Sequence, residues 1–240
     1  MNEDQRKDAL TPGRKEETES FAPSRPRAFA LNESVVEDVA VLYFGAIGVA
    51  SKRGVEIDDA GERGRPTEVV LKGRLGAALH RLNPDLPHDT VEEVVRILSR
   101  PPHPTLTQNN RWFHALLTDG VEVEYRDPKT GETRGGRARL VDFEHPEKND
   151  LLVVRQLSVA GASGTIIRLD LVVFLNGLPI AVIELKDPTD TQADLNVAID
   201  QLGRYRQTAP DLFVPNLLLA VSDGMLTRIG SITSGRSRFM

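Results

Sequence analysis

The sequence contains no cysteine. That excludes a disulfide framework, zinc–cysteine sites and a thiol nucleophile. No apolar run approaches the ~20 residues that span a bilayer, and the charged N-terminus has no apolar signal core. The expectation is an intracellular, cytoplasmic protein with no membrane partner. Nor is there an excess of positive charge, since 30 Lys and Arg stand against 35 Asp and Glu, a formal net charge of −5. This disfavours binding nucleic acid by bulk electrostatics alone. A local basic strip or a bound divalent cation can still supply positive charge. There is no internal repeat, helix-turn-helix or zinc motif. His80, His88, His103, His114 and His145 are scattered without ligand spacing.

What is present suits a packed domain. The 240 residues suffice for one large domain or two small ones. A hydrophobic content of 40% supports a core, and 27% charged residues is ordinary. The most informative stretch is Ile166 to Lys186, IIRLDLVVFLNGLPIAVIELK. It is two β-branched, apolar runs separated by Asn176-Gly177, a hairpin signal. Asp170, Glu184 and Lys186 interrupt it. Charges on an apolar sheet are tolerated only when paired or when they hold a metal.

Met1 to about Arg27 reads as a disordered leader. Asn32 or Ser34 caps a helix whose apolar positions are Val35, Val36, Val39, Leu42, Tyr43 and Ile47. Glu33 and Glu37 share one side of it. Ser51 to Pro66 reads as a surface loop. Helices follow at Thr67–Leu82, from about Asp89-Thr90 with Thr90 and Glu93 as a capping box, and at Gln108–Leu117. Trp112 and Phe113 could stack on bases, but their helical spacing favours a core role. Strands are expected over Gly120–Arg126, Ala138–Phe143 and Leu151–Val159, with a turn-rich Asp127–Gly136 between the first two. After the hairpin come an amphipathic helix at Thr191–Gln207, an apolar strand at Asn216–Ser222 and a short strand at Met225–Ile229. Gly230 to Met240 shows no core signal.

Turn geometry decides what the three charges do. A two-residue turn would pair Leu175 with Leu178 and set Asp170 against Ile183, with Glu184 on the other side of the sheet. A one-residue shift reverses that. A longer loop pairing Leu175 with Pro179, or a bulge, sets Asp170 across from Glu184. Pro179 suits either, so the longer loop or a bulge is predicted. Glu184 and Lys186, two apart, share a face while the Leu185 side chain points to the core. Two carboxylates and an amine then converge. Hard cations such as Mg²⁺ take one or two carboxylates plus waters, and a lysine can orient a water or stabilise phosphorane charge. The plain alternative is a carboxylate–lysine ion pair at the rim of a sheet. On the next helix Gln201 and Tyr205, four apart, share a face. Arg204, Arg206, Arg228, Arg236 and Arg238 could form a basic strip or stand as ordinary solvated arginines.

The order is a helix with Glu, a strand with Asp, a strand with Glu-x-Lys, a helix with Gln-x-x-x-Tyr, then a strand. It resembles the restriction-endonuclease-like, PD-(D/E)xK core. More specifically, the chain resembles the N-terminal part of the restriction (R) subunit of type I restriction–modification enzymes. The matching segments are ESVVEDVAVL (33–42), ALHRLNPDLP (78–87), NNRWFHALLTDGVEVEY (109–125), HPEKNDLLVVRQLSV (145–159), DLVVFLNGLPIAVIELKDP (170–188), AIDQLGRY (198–205) and SDGMLTRIGSITSGRSRFM (222–240).

The resemblance implies an α/β fold. Its mixed β-sheet would be flanked by helices over residues 28–230, with an N-terminal helical insertion at about 67–118. It implies a Mg²⁺-dependent endonuclease module acting on double-stranded DNA, within a prokaryotic complex of methyltransferase and specificity subunits. The implied catalytic residues are Asp170, Glu184, Lys186, Gln201 and Tyr205. The implied metal set is Asp170, Glu184, Leu185 and Glu37, with Glu37 reaching the metal through water. Arg168-Leu169 stands where family members often carry basic residues and a proline. No G-x-x-x-x-G-K-[ST] phosphate loop is present, so ATP is expected only in a motor that this chain lacks. Residues 231–240 read as the start of a linker to that motor, in a fragment or truncated product. The rival readings are a catalytically silent docking module and a repair-type nuclease on the same fold.

Overall fold

The computed structural model describes residues 32–127, 129–189 and 195–240. The leader expected over 1–27 and the start of the helix expected from Thr191 lie outside the described residues. Helix α1 (Glu33–Ala46) begins where the Asn32 side chain accepts the Val35 N–H at 3.0 Å, as the sequence indicates. Its buried face differs from the expected one. Val36, Ala40, Val41 and Phe44 pack inward, and Glu37 is buried with them. Val39, Leu42, Tyr43 and Ile47 are exposed. The helix is apolar around most of its circumference, so periodicity alone could not choose its inner side.

The expected loop after α1 is structured. Strand β1 (Ala50–Arg53) runs into α2 (Gly54–Asp59). Its polar sequence carries no strand pattern; parallel pairing with a distant strand makes it one. Then come α3 (Lys72–Leu82), α4 (His88–Leu98) and α5 (Leu106–Asp119), three helices in the span where helices are expected. Residues 67–71 are not helical, and Val69, Val70 and Leu71 are buried there. Thr90 is buried inside α4 rather than capping it, and Thr105 caps α5 by accepting the Gln108 N–H. β2 (Val121–Arg126) pairs with β3 (Thr133–Ala138) as a separate two-stranded sheet. The strand expected at Ala138–Phe143 is therefore displaced toward the N-terminus. Asp142 Oδ1 accepts the Glu144 and His145 N–H groups, and Asn149 accepts the Asp142 N–H. Side chains thus satisfy that backbone in place of a partner strand.

The main sheet uses β4 (Leu151–Ala160), β5 (Ile166–Leu175), β6 (Leu178–Leu185), β7 (Leu218–Ser222) and β8 (Thr227–Gly230) in the order β1-β4-β5-β6-β7-β8. β4, β5 and β6 form an antiparallel meander, and α6 (Leu195–Thr208) carries the chain across to β7, parallel to β6. The result is a mixed sheet flanked by helices. The larger core includes Val172, Phe174 and Val182 together with Leu202 of α6. The smaller holds Leu171, Val173, Ala181 and Leu185 against Val36 of α1. The last residues do contribute to the core, since Ile232 and Phe239 are buried. No described helix is long and apolar enough to cross a membrane.

Candidate active site

The hairpin resolves the turn question in favour of the bulge. Asn176 and Gly177 have φ of 50° and 81°, the two positive angles of a tight turn whose twist matches its strands. Leu175 pairs with Leu178 and Phe174 with Pro179; then the register shifts, and Val173 pairs with Ala181. Ile180 is the extra residue. Beyond it Leu171 faces Ile183. One further step along the same register brings Asp170 opposite Glu184. The longer loop is not used.

The three charged residues meet at this end of the hairpin. Asp170, Glu184 and Lys186 are all buried. Lys186 Nζ donates to Glu184 Oε1 at 3.0 Å. Asp170 Oδ2 accepts the backbone N–H of Leu185 at 2.8 Å. The Leu185 side chain packs into the smaller core, as its alternation requires. Glu184 Oε2 is buried without a hydrogen-bond partner. Burial, and then the charge of Asp170, push the Glu184 carboxyl up to about 8, against the opposing pull of Lys186. Glu33, at the start of α1, is pushed up the same way by partial burial and by Asp170. Two carboxylates and one amine thus share a buried site.

Gln201 and Tyr205 stand on α6 as spaced. Gln201 Nε2 donates to the Tyr205 oxygen at 2.6 Å, and the Tyr205 hydroxyl donates to the carbonyl of Arg168 at 2.9 Å. The pair clamps β5 two residues before Asp170. Burial pushes the Tyr205 phenol up, and the charges of Glu184 and Asp170 add to that. Glu37 is buried on α1, with Oε1 2.7 Å from Arg155 Nε, and it accepts a hydrogen bond from Gln156 Nε2. Gln156 Nε2 also donates, at 3.5 Å, to Asp170 Oδ1. Glu37 is thus joined to Asp170 through Gln156, a residue that no motif or periodicity singles out. The only hint is that Arg155-Gln156 places two polar residues in succession within a largely apolar strand.

Other features resolve plainly. Phe113 is fully buried and Trp112 packs against the core, edge-on to His103. Arg236 pairs with Asp200 and Arg206 donates to the carbonyl of Ile232, so these two arginines secure the last residues to α6. His80 and His88 stack with Nε2 and Nδ1 2.9 Å apart on the surface.

Among the described residues no group of three or more His, Cys, Asp or Glu is arranged to hold a metal ion. The donor set at Asp170 and Glu184 is the smaller kind that suits Mg²⁺, one or two carboxylates completed by water and substrate oxygens. The partnerless Glu184 Oε2 fits such a group, because a buried carboxylate oxygen with no donor is costly unless a cation faces it.

Comparison with known proteins agrees in extent with the fold. A family model described as type I restriction enzyme R protein N terminus matches residues 30–238. The chain is similar to the type I restriction enzyme HindI endonuclease subunit of Haemophilus influenzae, with 35% identity over 212 residues, 87% of this chain and 20% of that one. It is also similar to a Methanocaldococcus jannaschii protein named as a type I restriction enzyme MjaIXP endonuclease subunit, with 32% identity over 219 residues, 90% of this chain and 21% of that one. The chain therefore spans about a fifth of the length of these relatives.

Proposed function

The chain belongs to the family of type I restriction enzyme R protein N termini, and on that premise we propose that it is the DNA-cleaving module of such an enzyme, built on a restriction-endonuclease-like core. The observation that carries the reading is the convergence of Asp170, Glu184 and Lys186 in one buried cluster, with a carboxylate oxygen left partnerless. Asp170 and Glu184, with the backbone of Leu185 between them, would hold Mg²⁺, and Glu37 stands behind Asp170. Bound there, Mg²⁺ would supply Lewis-acid polarisation of a phosphodiester oxygen and would acidify a water for attack at neutral pH.

The chain's own residues do the rest. Lys186 places its Nζ beside Glu184, where it can orient the attacking water and offset charge building on the phosphate. The Leu185 N–H fixes the Asp170 carboxylate. Gln201 and Tyr205 hold β5 in register with α6 and so keep Asp170 facing Glu184. The substrate is double-stranded DNA, cut one strand per site. Sequence recognition and methylation belong to partner subunits and ATP-driven translocation to a motor of the parent enzyme, working in the prokaryotic cytoplasm.

Nicking of supercoiled plasmid by the parent enzyme with Mg²⁺ and ATP tests this. Lys186→Ala and Asp170→Ala should each lower cleavage by a factor of 10² or more, while ATP hydrolysis persists. Wild-type cleavage by either variant would remove the assignment.

A further inference from the structure

Strand β4 has one departure from regular geometry, and it lies beside the site. Arg155 pairs with Leu171 and Leu157 with Leu169, so Gln156 stands directly across from Asp170. Gln156 has φ of 55°. Among the described residues only Asn176 shares a positive φ without being glycine. A polar β-strand residue does not adopt that conformation without something holding it.

Both flanks of the kink are held. Gly54, the first residue of α2, lies so close that a Cβ there would sit 2.6 Å from the Gln156 carbonyl oxygen and 3.0 Å from Leu157 Cα. The α2 backbone is therefore pressed against the kinked peptide. Arg155 is anchored to α1, 2.7 Å from Glu37 Oε1 and 3.0 Å from Asp38 Oδ1. What this backing delivers is one amide group between two carboxylates. Gln156 Nε2 donates to Glu37 Oε2 and to Asp170 Oδ1. The nitrogen end must face them, since the oxygen end would oppose two acceptors.

We infer that Gln156 is a positioning residue for the cation site, an inference that rests on the nuclease reading above. Its amide and the Leu185 N–H each take one oxygen of Asp170. Together they fix the plane of that carboxylate before any cation arrives. The amide also separates Glu37 from Asp170, two acids that would otherwise repel. Outer groups that orient a ligand in this way typically change metal affinity or activity 10- to 100-fold.

The test is calorimetric titration of Mn²⁺ into the 240-residue chain, paired with thermal unfolding in EDTA and with plasmid cleavage by the parent enzyme. Gln156→Met keeps the length of the side chain and removes its donors. It should weaken Mn²⁺ binding about 10-fold or more and leave unfolding in EDTA unchanged. Its cleavage should recover at saturating cation, a loss in apparent affinity rather than in maximal rate. Should that variant fail to fold, Gly54→Ala, which displaces the Gln156 peptide from behind, should show the same weakening. Mn²⁺ affinity within twofold of wild type, with binding abolished in Asp170→Ala, overturns the positioning role and leaves the nuclease reading standing. An earlier melt with unchanged affinity also overturns it, by making Gln156 merely structural. A wild-type chain that binds no Mn²⁺, in a parent that does not cut, removes both.

Discussion

The two ends of one hairpin treat buried polar groups in opposite ways. At the tip, Asn176 is fully buried and fully satisfied. Its amide nitrogen donates to the Leu140 carbonyl and to Asn149 Oδ1, both at 2.9 Å. Its oxygen accepts the Asp150 N–H at 2.8 Å and Arg81 Nη2 at 3.3 Å. Gly177 closes the arrangement by accepting the Leu71 N–H. At the open end, about as buried, two carboxylates face each other and one oxygen has no donor. The tip joins α3, the β3–β4 segment and the sheet into one body. The open end leaves one buried acceptor without a donor. Satisfied networks rigidify, whereas unsatisfied ones in a native fold call for a ligand or a task.

The contrast can be broken most severely at Gly177. A Cβ there would lie 2.5 Å from the Leu71 carbonyl oxygen and 2.8 Å from the Leu75 nitrogen, at a φ of 81°. Gly177→Ala should destabilise by about 3–5 kcal/mol, read as a large fall in the urea midpoint. Asn176→Ala should cost about 3 kcal/mol, because it strips partners from the buried Leu140 carbonyl and the half-buried Asp150 N–H. An effect below about 1 kcal/mol would show that water replaces the side chain and that the tip is not the anchor described.

The open end should respond with the opposite sign. Glu184 is pushed up to about 8, so in the folded, cation-free chain it keeps its proton at pH values where the unfolded chain has lost it. Its contribution to stability is therefore whole below the ordinary 4.5 and is lost as pH rises toward 8. Glu184→Gln cannot ionise. In EDTA at pH 8 it should unfold later than wild type, by about 1–2 kcal/mol, and the difference should vanish near pH 4. Equal melting at pH 8 would mean that Lys186 already neutralises the carboxylate.

The hairpin was readable from residues alone, because β-branched runs around Asn-Gly report a strand pair and Pro179 reports an irregularity. So was the meeting of Asp170, Glu184 and Lys186, once a bulge was admitted. Other parts were hidden for physical reasons. β1 is Ala-Ser-Lys-Arg and owes its conformation to parallel pairing with β4. Gln156 bears on the site through a kink that no periodicity announces. The inner face of α1 is chosen by the sheet it meets rather than by its own apolar pattern. Ile232 and Phe239 looked isolated among Gly, Ser and Arg, yet Met240 exchanges backbone hydrogen bonds with Ile229 and carries that segment back onto the core.

The hairpin tip also governs how the chain ages. Asn followed by Gly is the pair in which the next backbone nitrogen most easily attacks the side-chain amide, closing a succinimide and leaving isoaspartate. Here the Asn176 amide is tethered through both its nitrogen and its oxygen, so ring closure must wait for the tip to come apart. Isoaspartate at position 176 would therefore accumulate as a chemical record of the hours a molecule has spent unfolded.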